Sequence, residues 1–326
     1  MSMPCSSDKI LQHRPVLPKE VLVALIRNPD GVYVDATFGR GGHTRLILGQ
    51  LSAKAKLFAF DRDAEAVQEA QKIQDDRFHM IPSAFSRMRE ELQSRGVNNV
   101  DGILMDIGVS SPQIDDPKRG FSFRTDGPLD MRMDQTQGIS AAQWLKTSDE
   151  KKIESVLREY GEERFAKAIA RAIVREEEVN PIETTLQLAK LVEKTVPRSS
   201  KDSSQHPATR TFQAIRIAVN DEFGELRTAL EASGSLLRQG GRLVVISFHS
   251  LEDRIVKRFF AEGLHPESRI DARLALRTDE MPHPVWSEAD RIRPSDEETN
   301  SNPRARSAIL RAATRTGEPW SIGGTL

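Results

Sequence analysis

A glycine-rich segment between a predicted strand and a predicted helix is the part of the sequence best suited to bind a small ligand. Residues 35–43 read DATFGRGGH, and residues 44–51 after them are spaced like a helix. Glycines at such a turn let the backbone approach a ligand closely and leave the first helix amides pointing toward it. Asp61 ends the next strand, about 20 residues further on, where a carboxylate can accept both hydroxyls of a ribose. The pattern predicts a cofactor that contains a nucleoside.

Two kinds of nucleoside cofactor fit this spacing. A dinucleotide fingerprint would place a third glycine where this chain has Thr44. Asp35 would repel a diphosphate, whereas it could meet the ammonium group of a methionine moiety. Both features favour S-adenosylmethionine over a nicotinamide dinucleotide, but a dehydrogenase and a purely structural turn stay open.

The ends of the next two predicted strands supply candidates for adenine binding and for chemistry. Phe85 follows the third strand, where it could pack against an adenine ring or simply belong to the core. Asp106 ends the fourth strand, and ligands of open parallel sheets bind outside the carboxyl ends of the strands. We expect Asp106 and the segment Ser110, Ser111 and Pro112 to carry the reaction, although a structural turn would explain the same residues.

The order of the predicted elements indicates an α/β protein whose parallel sheet is interrupted by a helical insertion. Strands are predicted at 31–38, 56–60, 78–81 and 102–107, with helices between them. A helical block follows, and a helix from about 212 to 237 then leads to a fifth strand at 242–248. Residues 264–303 are expected to form a polar loop with at most one short strand, and 305–312 an edge strand. We therefore divide the chain into 1–112 and 206–326 for the sheet domain and 113–205 for the insertion.

The bulk composition limits the class of protein. The chain has 326 residues, a formal net charge of −1 and a single cysteine, Cys5, which suits a reducing cytoplasm. The apolar run 21–26 is too short for an export signal or a membrane span. A nucleic-acid partner would have to meet a local basic patch, because counterion release depends on the cations at the contact. Two segments qualify, unless they are ordinary solvated charge: one has Arg198, Lys201, Arg210 and Arg216, the other Arg304, Arg306, Arg311 and Arg315.

Four side chains in the loop after the fourth strand could stack on an extruded RNA base or hold it. They are Phe121, Phe123, Arg124 and Arg132. Acidic residues outnumber the basic ones in this loop, so it is not a phosphate-binding stripe.

Three further residues are candidates for contact with RNA. His206 and Arg210 precede the helix that returns to the sheet, which favours them for this role. His249 stands three residues before Glu252, a spacing that would fit half of a metal site. No second His, Asp or Glu pair of matching spacing supports such a site, so we expect no metal. We place His249 near the substrate entrance or at a helix cap.

Eight segments of the chain resemble the signature segments of the ribosomal RNA small subunit methyltransferase H family. They occur in the family's order, and the resemblance spans about residues 13–315. The segments are 35–43 (DATFGRGGH), 106–113 (DIGVSSPQ), 119–123 (RGFSF), 126–134 (DGPLDMRMD), 160–165 (YGEERF), 206–213 (HPATRTFQ), 247–254 (SFHSLEDR) and 302–307 (NPRARS). Residues 1–12 and 264–286 match the family poorly.

The resemblance implies a class I, Rossmann-like methyltransferase sheet that uses S-adenosylmethionine, with an inserted helical domain that recognises RNA. It implies as target the N4 amine of a cytidine in the decoding region (P site) of 16S ribosomal RNA. We expect the RNA within the small ribosomal subunit as partner, although the sequence does not decide between the subunit and naked RNA or between a monomer and a homodimer. The cofactor contacts that the resemblance implies are Gly41, Gly42, His43, Asp61, Phe85, Asp106 and Gln113.

The chemistry of this amine explains why hydrogen-bond acceptors are expected beside it. The lone pair of cytosine N4 is delocalised into the ring, so the enzyme must aim the amine and draw it toward sp3 geometry. Transfer should be direct and in line, with much of the catalysis coming from positioning. Asp106, the hydroxyls of Ser110 and Ser111 and the Ser111 carbonyl are the expected acceptors, in a segment similar to the Ser-Pro-Pro element of DNA N4-methyltransferases. A ribosome-assembly factor that retains the cofactor without turnover is the remaining alternative.

Overall fold

The computed structural model describes residues 15–197, 206–269, 277 and 281–320 of the chain. Cys5, Arg198 and Lys201 lie outside the described residues. No helix in the described part is long and apolar enough to cross a membrane.

A mixed sheet forms the centre of the molecule. Its strands are β1 (Val32–Asp35), β2 (Lys56–Asp61), β3 (Phe78–Pro82), β4 (Val100–Asp106), β5 (Leu237–Ser247), β6 (Trp286–Ile292) and β7 (Ile309–Arg315). They lie in the order β3-β2-β1-β4-β5-β7-β6. The pairs among β1 to β5 are parallel, and β7 is antiparallel to both β5 and β6. This arrangement confirms the predicted Rossmann-like α/β class.

The strand that ends at Asp106, β4, lies in the middle of the sheet. All residues of β4 before Asp106 are buried, as expected for a parallel strand covered on both faces. The parallel strands β1, β2, β4 and β5 end at the same edge of the sheet. The residues that follow these strands therefore converge there.

Helices connect the strands, and a run of them interrupts the sheet between β4 and β5. The helices of the sheet unit are α1 (Pro18–Leu25), α2 (Gly42–Leu48), α3 (Ala64–Ala70), α4 (Met88–Ser94), α11 (Glu222–Leu236), α12 (Ser250–Leu264) and α13 (Asp296–Ser301). The interruption contains α5 (Ser111–Asp115), α6 (Ala141–Thr147), α7 (Glu150–Gly161), α8 (Ala166–Val179), α9 (Thr185–Thr195) and α10 (Thr209–Asn220). The predicted capping boxes at Ser140 and Thr184 start α6 and α9.

The interrupting helices have a hydrophobic core of their own. This core joins Leu157 of α7, Ile169 of α8 and Leu188 of α9 with Phe212 and Ile215 of α10. The clusters on the two faces of the sheet are separate from it. We call the helices α6 to α10 with this core the helical unit.

The predicted continuous helix from 212 to 237 is wrong, because the chain breaks at Asp221. This residue adopts a left-handed conformation with φ 45°, which Asp tolerates better than most residues. α10 packs into the helical unit before the break, and α11 packs against the sheet after it. We therefore propose Asp221 as the second crossing between the two units, in place of the division predicted after residue 205.

Two further predictions near the C-terminus need correction. β7 is not an edge strand, because it pairs with β5 on one side and with β6 on the other. β6 is mostly exposed and lies in a polar stretch, which hides it from hydrophobic-pattern analysis. The capping box of α12 is formed by His249 and Glu252 and not by Ser250 and Asp253.

Candidate active site

A cavity of about 460 Å³ lies at the carboxyl edge of the sheet. Its walls include residues that follow each of the strands β1 to β5, such as Gly39, Arg62, Phe85, Ile107 and Phe248. Open α/β sheets bind ligands at this edge, and the volume is within the usual range for small-molecule sites. The topology of the fold therefore brings together segments that are far apart in the sequence.

The glycine-rich segment forms the turn between β1 and α2. Gly39 and Gly41 have φ values of 55° and 71°, a region that side chains rarely adopt. A Cβ atom on Gly41 would also lie only 2.7 Å from the Phe38 ring. Gly42 and His43 line the cavity, whereas Gly41 supports the turn without lining it. The backbone geometry of this turn thus requires glycine at positions 39 and 41.

Asp35 supports this turn from inside the protein. Its side chain is 1% exposed, and its carboxylate accepts hydrogen bonds from the Thr44 hydroxyl (2.6 Å) and the Thr37 amide (3.2 Å). Burial raises the pKa of Asp35 to about 6. Asp35 does not line the cavity, so the structure gives it a supporting role in place of the predicted contact with a methionine ammonium group.

Asp61 and Phe85 face the same cavity from neighbouring strand ends. The carboxylate of Asp61 accepts the amides of Gly39 (2.8 Å) and Asp63 (2.9 Å), which fixes its orientation. Burial raises the pKa of Asp61 above its usual range. Phe85 lies beside Ala84 and gives this end of the cavity an apolar wall.

Asp106 lies where the cavity meets the end of β4. Oδ1 of its carboxyl group is buried and has no hydrogen-bond partner among the described residues, and Oδ2 lies 3.6 Å from Nε2 of His43. Burial, with the negative charges of Asp35 and Glu252, raises the pKa of Asp106 to about 8. Such a carboxyl group can take a hydrogen bond or a proton from a ligand.

The segment after β4 is only partly exposed to the cavity. Ser110 and Gln113 line it, whereas Ser111 and Pro112 do not. The Gln113 side chain accepts the amide of Ser110 (2.9 Å) and donates to Asp63 (2.8 Å). Gln113 is therefore held in place by both ends of its amide group.

Most of the predicted substrate residues lie outside the cavity, and His249 is the one that lines it. Phe123 and His206 stack with ring centroids 4.6 Å apart, although they are distant in sequence. Phe123 also contacts Phe212 of the helical unit at 4.8 Å. The outer ring of this stack, His206, is exposed.

Of the other predicted substrate residues, two contact a partner within the protein and two are exposed. Arg132 forms an ion pair with Asp130 at 2.8 Å, so its charge is already neutralised. Phe121 packs on the guanidinium of Arg119, with the ring centroid 5.8 Å away. The remaining two, Arg124 and Arg210, are exposed.

Arg216 and Glu252 line the cavity, although the sequence indicated only a basic segment for the first and half of a metal site for the second. Arg216 of α10 donates two hydrogen bonds to Glu222, at 2.7 and 2.8 Å. Glu252 is 1% exposed and accepts the Phe248 amide at 2.8 Å, with His249 Nε2 at 2.9 Å. Burial acts to raise the pKa of Glu252, but His249 and Arg216 hold it below its usual value. The polar pair Arg216 and Asn220, one turn apart on a largely apolar helix, is the signal that could have revealed this wall.

A buried network joins the helical unit to the cofactor side of the cavity. Arg119 pairs with Asp63 at 2.8 Å and donates to the Met133 carbonyl at 2.9 Å. Asn220 donates to the Met131 carbonyl at 2.7 Å and accepts the Met133 amide at 2.8 Å. The two walls of the cavity are thus connected through side chains.

Segments near the two ends of the described chain close another side of the cavity. Pro15 and Val16 line it together with Pro303, Arg304 and Ser307. The Leu17 amide donates to the Glu298 carboxylate at 2.7 Å, a buried bond that holds these segments together. Pro15 also packs on the glycine turn, since a Cβ on Gly42 would lie 3.3 Å from it.

No group of three His, Cys, Asp or Glu side chains that could hold a metal ion occurs within the described ranges.

Comparisons with known proteins agree on one family. The MraW methylase family matches residues 10–316. Ribosomal RNA small subunit methyltransferase H of Burkholderia vietnamiensis (strain G4 / LMG 22486) is 52% identical over 309 residues, covering 94% of this chain and 98% of that protein. The protein of the same name from Burkholderia mallei (strain SAVP1) is 51% identical over 308 residues, covering 93% and 97%. Among solved structures, an SAM-dependent O-methyltransferase of Thermotoga maritima has a TM-score of 0.40 and 9% identity, covering 95% of this chain and 69% of that chain.

The family match and the identity to these relatives extend over nearly the whole chain. An oxidoreductase, which the glycine pattern alone left open, is therefore excluded. The chain belongs to the MraW methylase family and is a methyltransferase.

Proposed function

We propose that this methyltransferase transfers the methyl group of S-adenosylmethionine to the N4 amine of a cytidine in 16S ribosomal RNA, in the decoding region. The single observation that carries the chemistry is the Asp106 carboxyl group, which lines the cavity and has an oxygen without a hydrogen-bond partner in the described residues. The relatives named for small-subunit ribosomal RNA support the class of substrate. The position and atom of methylation rest on the resemblance of the sequence segments.

The residues at the carboxyl edge fit the proposed donor. Gly42 and His43 would face its methionine part, with Gly41 shaping the turn, as the steric limits at these glycines indicate. The carboxylate of Asp61 would accept the ribose hydroxyls, and Phe85 would cover the adenine. Gln113, fixed by Asp63, would border the same site. When bound, the donor supplies an electrophilic methyl group on a sulfonium.

Asp106 would act on the nucleophile. Its carboxylate would accept an N–H hydrogen bond from the target amine, which draws the nitrogen lone pair out of conjugation and aims it. The new N–C bond forms as the C–S bond breaks with its electron pair to sulfur, and the alkylated amine then releases a proton. Asp106 would take that proton. The Ser110 hydroxyl at the cavity wall would be a second acceptor, while Ser111 and Pro112 would shape the segment.

The helical unit would hold the RNA next to the target base. Its Phe123 and His206 rings offer a stacking surface outside the cavity, and the exposed Arg124 and Arg210 would meet phosphates. Arg132, paired with Asp130, would position the loop that also carries Phe121. His249 would border the entrance of the base. α10 spans about 10 Å from Thr209 to Arg216 at 1.5 Å per residue, which links this surface to the cavity.

These assignments extend to the organisation of the whole protein. We propose that the sheet domain comprises 1–112 and the chain after Asp221, whereas the sequence placed the start of its second part at residue 206. Residues 113–205, together with α10, would be the RNA-recognition part. The assembled small subunit is the proposed form of the substrate, and a cytoplasmic location and a homodimer stay predictions.

One experiment tests donor, substrate and turnover together. The purified chain is titrated with S-adenosylhomocysteine by calorimetry, and then incubated with donor and small subunits from a strain that lacks the gene. We expect saturable binding and mass-spectrometric detection of N4-methylcytidine in the decoding region. Binding without any turnover would instead support the assembly-factor alternative, and methylation of another atom would contradict the proposed chemistry.

A further inference from the structure

Arg216 is a fixed cation in the wall of the cavity. It comes from α10 of the helical unit, and its side chain is 16% exposed. Nε and Nη2 donate to Oε1 and Oε2 of Glu222 at 2.7 and 2.8 Å. Glu222 is 6% exposed and does not line the cavity, so this edge of the guanidinium faces the protein. A bidentate pair of this kind fixes the plane of the guanidinium.

The opposite edge of the guanidinium keeps free donors. Arginine has five N–H groups and no acceptor, and the pair with Glu222 uses one on Nε and one on Nη2. Nη1 forms no hydrogen bond with any described residue. The two parallel N–H groups at the end of the side chain, one on Nη1 and one on Nη2, are therefore available to a ligand in the cavity that Arg216 lines.

Glu252 lies close to both the donor edge of Arg216 and the candidate acceptor Asp106. Its charge acts on Arg216 and on Asp106, which both line the cavity with it. Oε2 of Glu252 accepts the amides of Phe248 and His249, and Oε1 lies 2.9 Å from Nε2 of His249. The cavity thus presents an acceptor, the Asp106 carboxyl group, on one wall and a pair of donors, the N–H groups of Arg216, on another. The buried carboxylate of Glu252 lies close enough to both for its charge to act on them.

The Watson–Crick edge of cytosine has the complementary order of groups. Its N4 amine is a donor, and the neighbouring N3 and O2 atoms are acceptors that two parallel N–H groups can reach together. We infer that Arg216 recognises N3 and O2 of the target cytosine while Asp106 receives the N4 amine. This inference rests on the proposed function and specifies how its substrate base is chosen.

The contact would select the base without accelerating the chemistry. Adenine also carries an amine beside a ring acceptor, but it has a C–H where cytosine has O2, so one donor of Arg216 would stay unpaired. Donors at N3 and O2 do not make the N4 lone pair more nucleophilic. Loss of the contact should therefore raise KM and leave kcat nearly unchanged, as for binding that is equal in ground and transition states.

A cycle between enzyme and substrate variants tests the contact directly. Small subunits are reconstituted with cytidine or with 3-deazacytidine, which has C–H in place of N3, at the target position. The enzymes are wild type, Arg216→Lys, which keeps the charge but loses the fork, and Arg216→Met combined with Glu222→Leu. The double variant leaves no buried charge unpaired, so it avoids the penalty of a broken buried ion pair. Arg158→Met, which removes an exposed partner of Glu154, is the matched control.

We expect wild type and Arg158→Met to lose roughly 10- to 100-fold in kcat/KM on 3-deazacytidine, the range for one hydrogen bond from a charged donor. The double variant lacks both donors, so its loss on cytidine should be at least as large, mainly in KM, with little further loss on 3-deazacytidine. Arg216→Lys should also lose most of its sensitivity to N3, which keeps the test valid if the double variant is unstable.

Two results would overturn the inference. Equal sensitivity to 3-deazacytidine in wild type and in both variants would show that Arg216 does not contact N3. A weakening of S-adenosylhomocysteine binding that matches the loss of activity would instead assign Arg216 to the donor's carboxylate. Failure of the proposed function itself is recognised separately, because wild type would then form no N4-methylcytidine on the unmodified subunit.

Discussion

The two walls of the cavity are built in different ways. The sheet wall consists of short segments that each follow a strand, such as the glycine turn, Asp61 and Asp106. The helical wall depends on Arg216, which is held by Glu222 on the other side of the break at Asp221, and on Asn220, which is held by the Met131 carbonyl 89 residues earlier. Strand ends therefore form a site through the topology of the sheet alone, whereas a helix face becomes part of a site only through its tertiary contacts.

The largest expected effect concerns the joint between these walls. Arg119→Met should lower the free energy of unfolding by about 3 to 5 kcal/mol, because it leaves the buried Asp63 carboxylate without its cation. The measurement is urea denaturation followed by circular dichroism. If the Arg119 network makes the sheet unit and the helical unit unfold together, wild type should show one transition and the variant two.

The matched control for this joint is an exposed ion pair on the helical unit. Arg158→Met should change stability by less than about 0.5 kcal/mol, as is usual at the surface. Equal effects of the two substitutions would show that the Arg119 network does not hold the walls together.

The next largest effect isolates the chemistry at the sheet wall. Asp106→Asn keeps the shape of the side chain but removes the carboxylate, and should lower kcat by about 10²- to 10³-fold, the usual cost of losing one preorganised electrostatic group. Calorimetry with S-adenosylhomocysteine should show a much smaller loss of affinity, since Asp106 is only one of several expected donor contacts. A variant that retains kcat would remove Asp106 from the reaction.

The pH dependence follows from the raised pKa of Asp106. Burial and the charges of Asp35 and Glu252 place this pKa at about 8, and the acceptor role requires the deprotonated form. Below pH 8, kcat/KM should fall about tenfold per pH unit, and above it should level off. At saturating donor the sulfonium charge favours the carboxylate, so the midpoint for kcat should lie at lower pH. A profile of Asp106→Asn with the same midpoint would refute the assignment.

The smallest predicted effect concerns the segments that close the cavity. Glu298→Ala removes the acceptor of the Leu17 amide, and should weaken S-adenosylhomocysteine binding about fivefold, since one hydrogen bond contributes about 1 kcal/mol. Glu298→Gln keeps an acceptor oxygen and should bind nearly as wild type. Ser295→Ala removes only the cap of α13 and controls for loss of that helix. Equal weakening in all three variants would contradict a specific role of the bond.

The cofactor side was largely predictable because its signals are local. A strand, a glycine turn and a helix can each be recognised from neighbouring residues, and the parallel topology then places Asp61, Phe85 and Asp106 at one edge. The exception is Asp35, for which sequence spacing could not reveal that Thr44 and Thr37 occupy its carboxylate.

The helical side and the C-terminal strands were less predictable because their signals are not local. The break at Asp221 depends on packing of α10 into one core and α11 into another. The sequence indicated Phe123 and His206 as separate candidates for RNA contact, but not that their rings contact each other. The position of β7 between β5 and β6 depends on β6, an exposed strand whose polar residues resemble a loop.

Hydrogen exchange with each ligand alone tests most directly whether the sheet wall binds the donor and the helical wall binds the RNA. S-adenosylhomocysteine should protect amides in 36–43, 83–85 and 106–113 and leave the start of α10 unchanged. Small subunits from a strain that lacks the gene should protect 121–124 and 206–213. Protection of the helical segments by S-adenosylhomocysteine, with no change at the glycine turn, would contradict this division of the site.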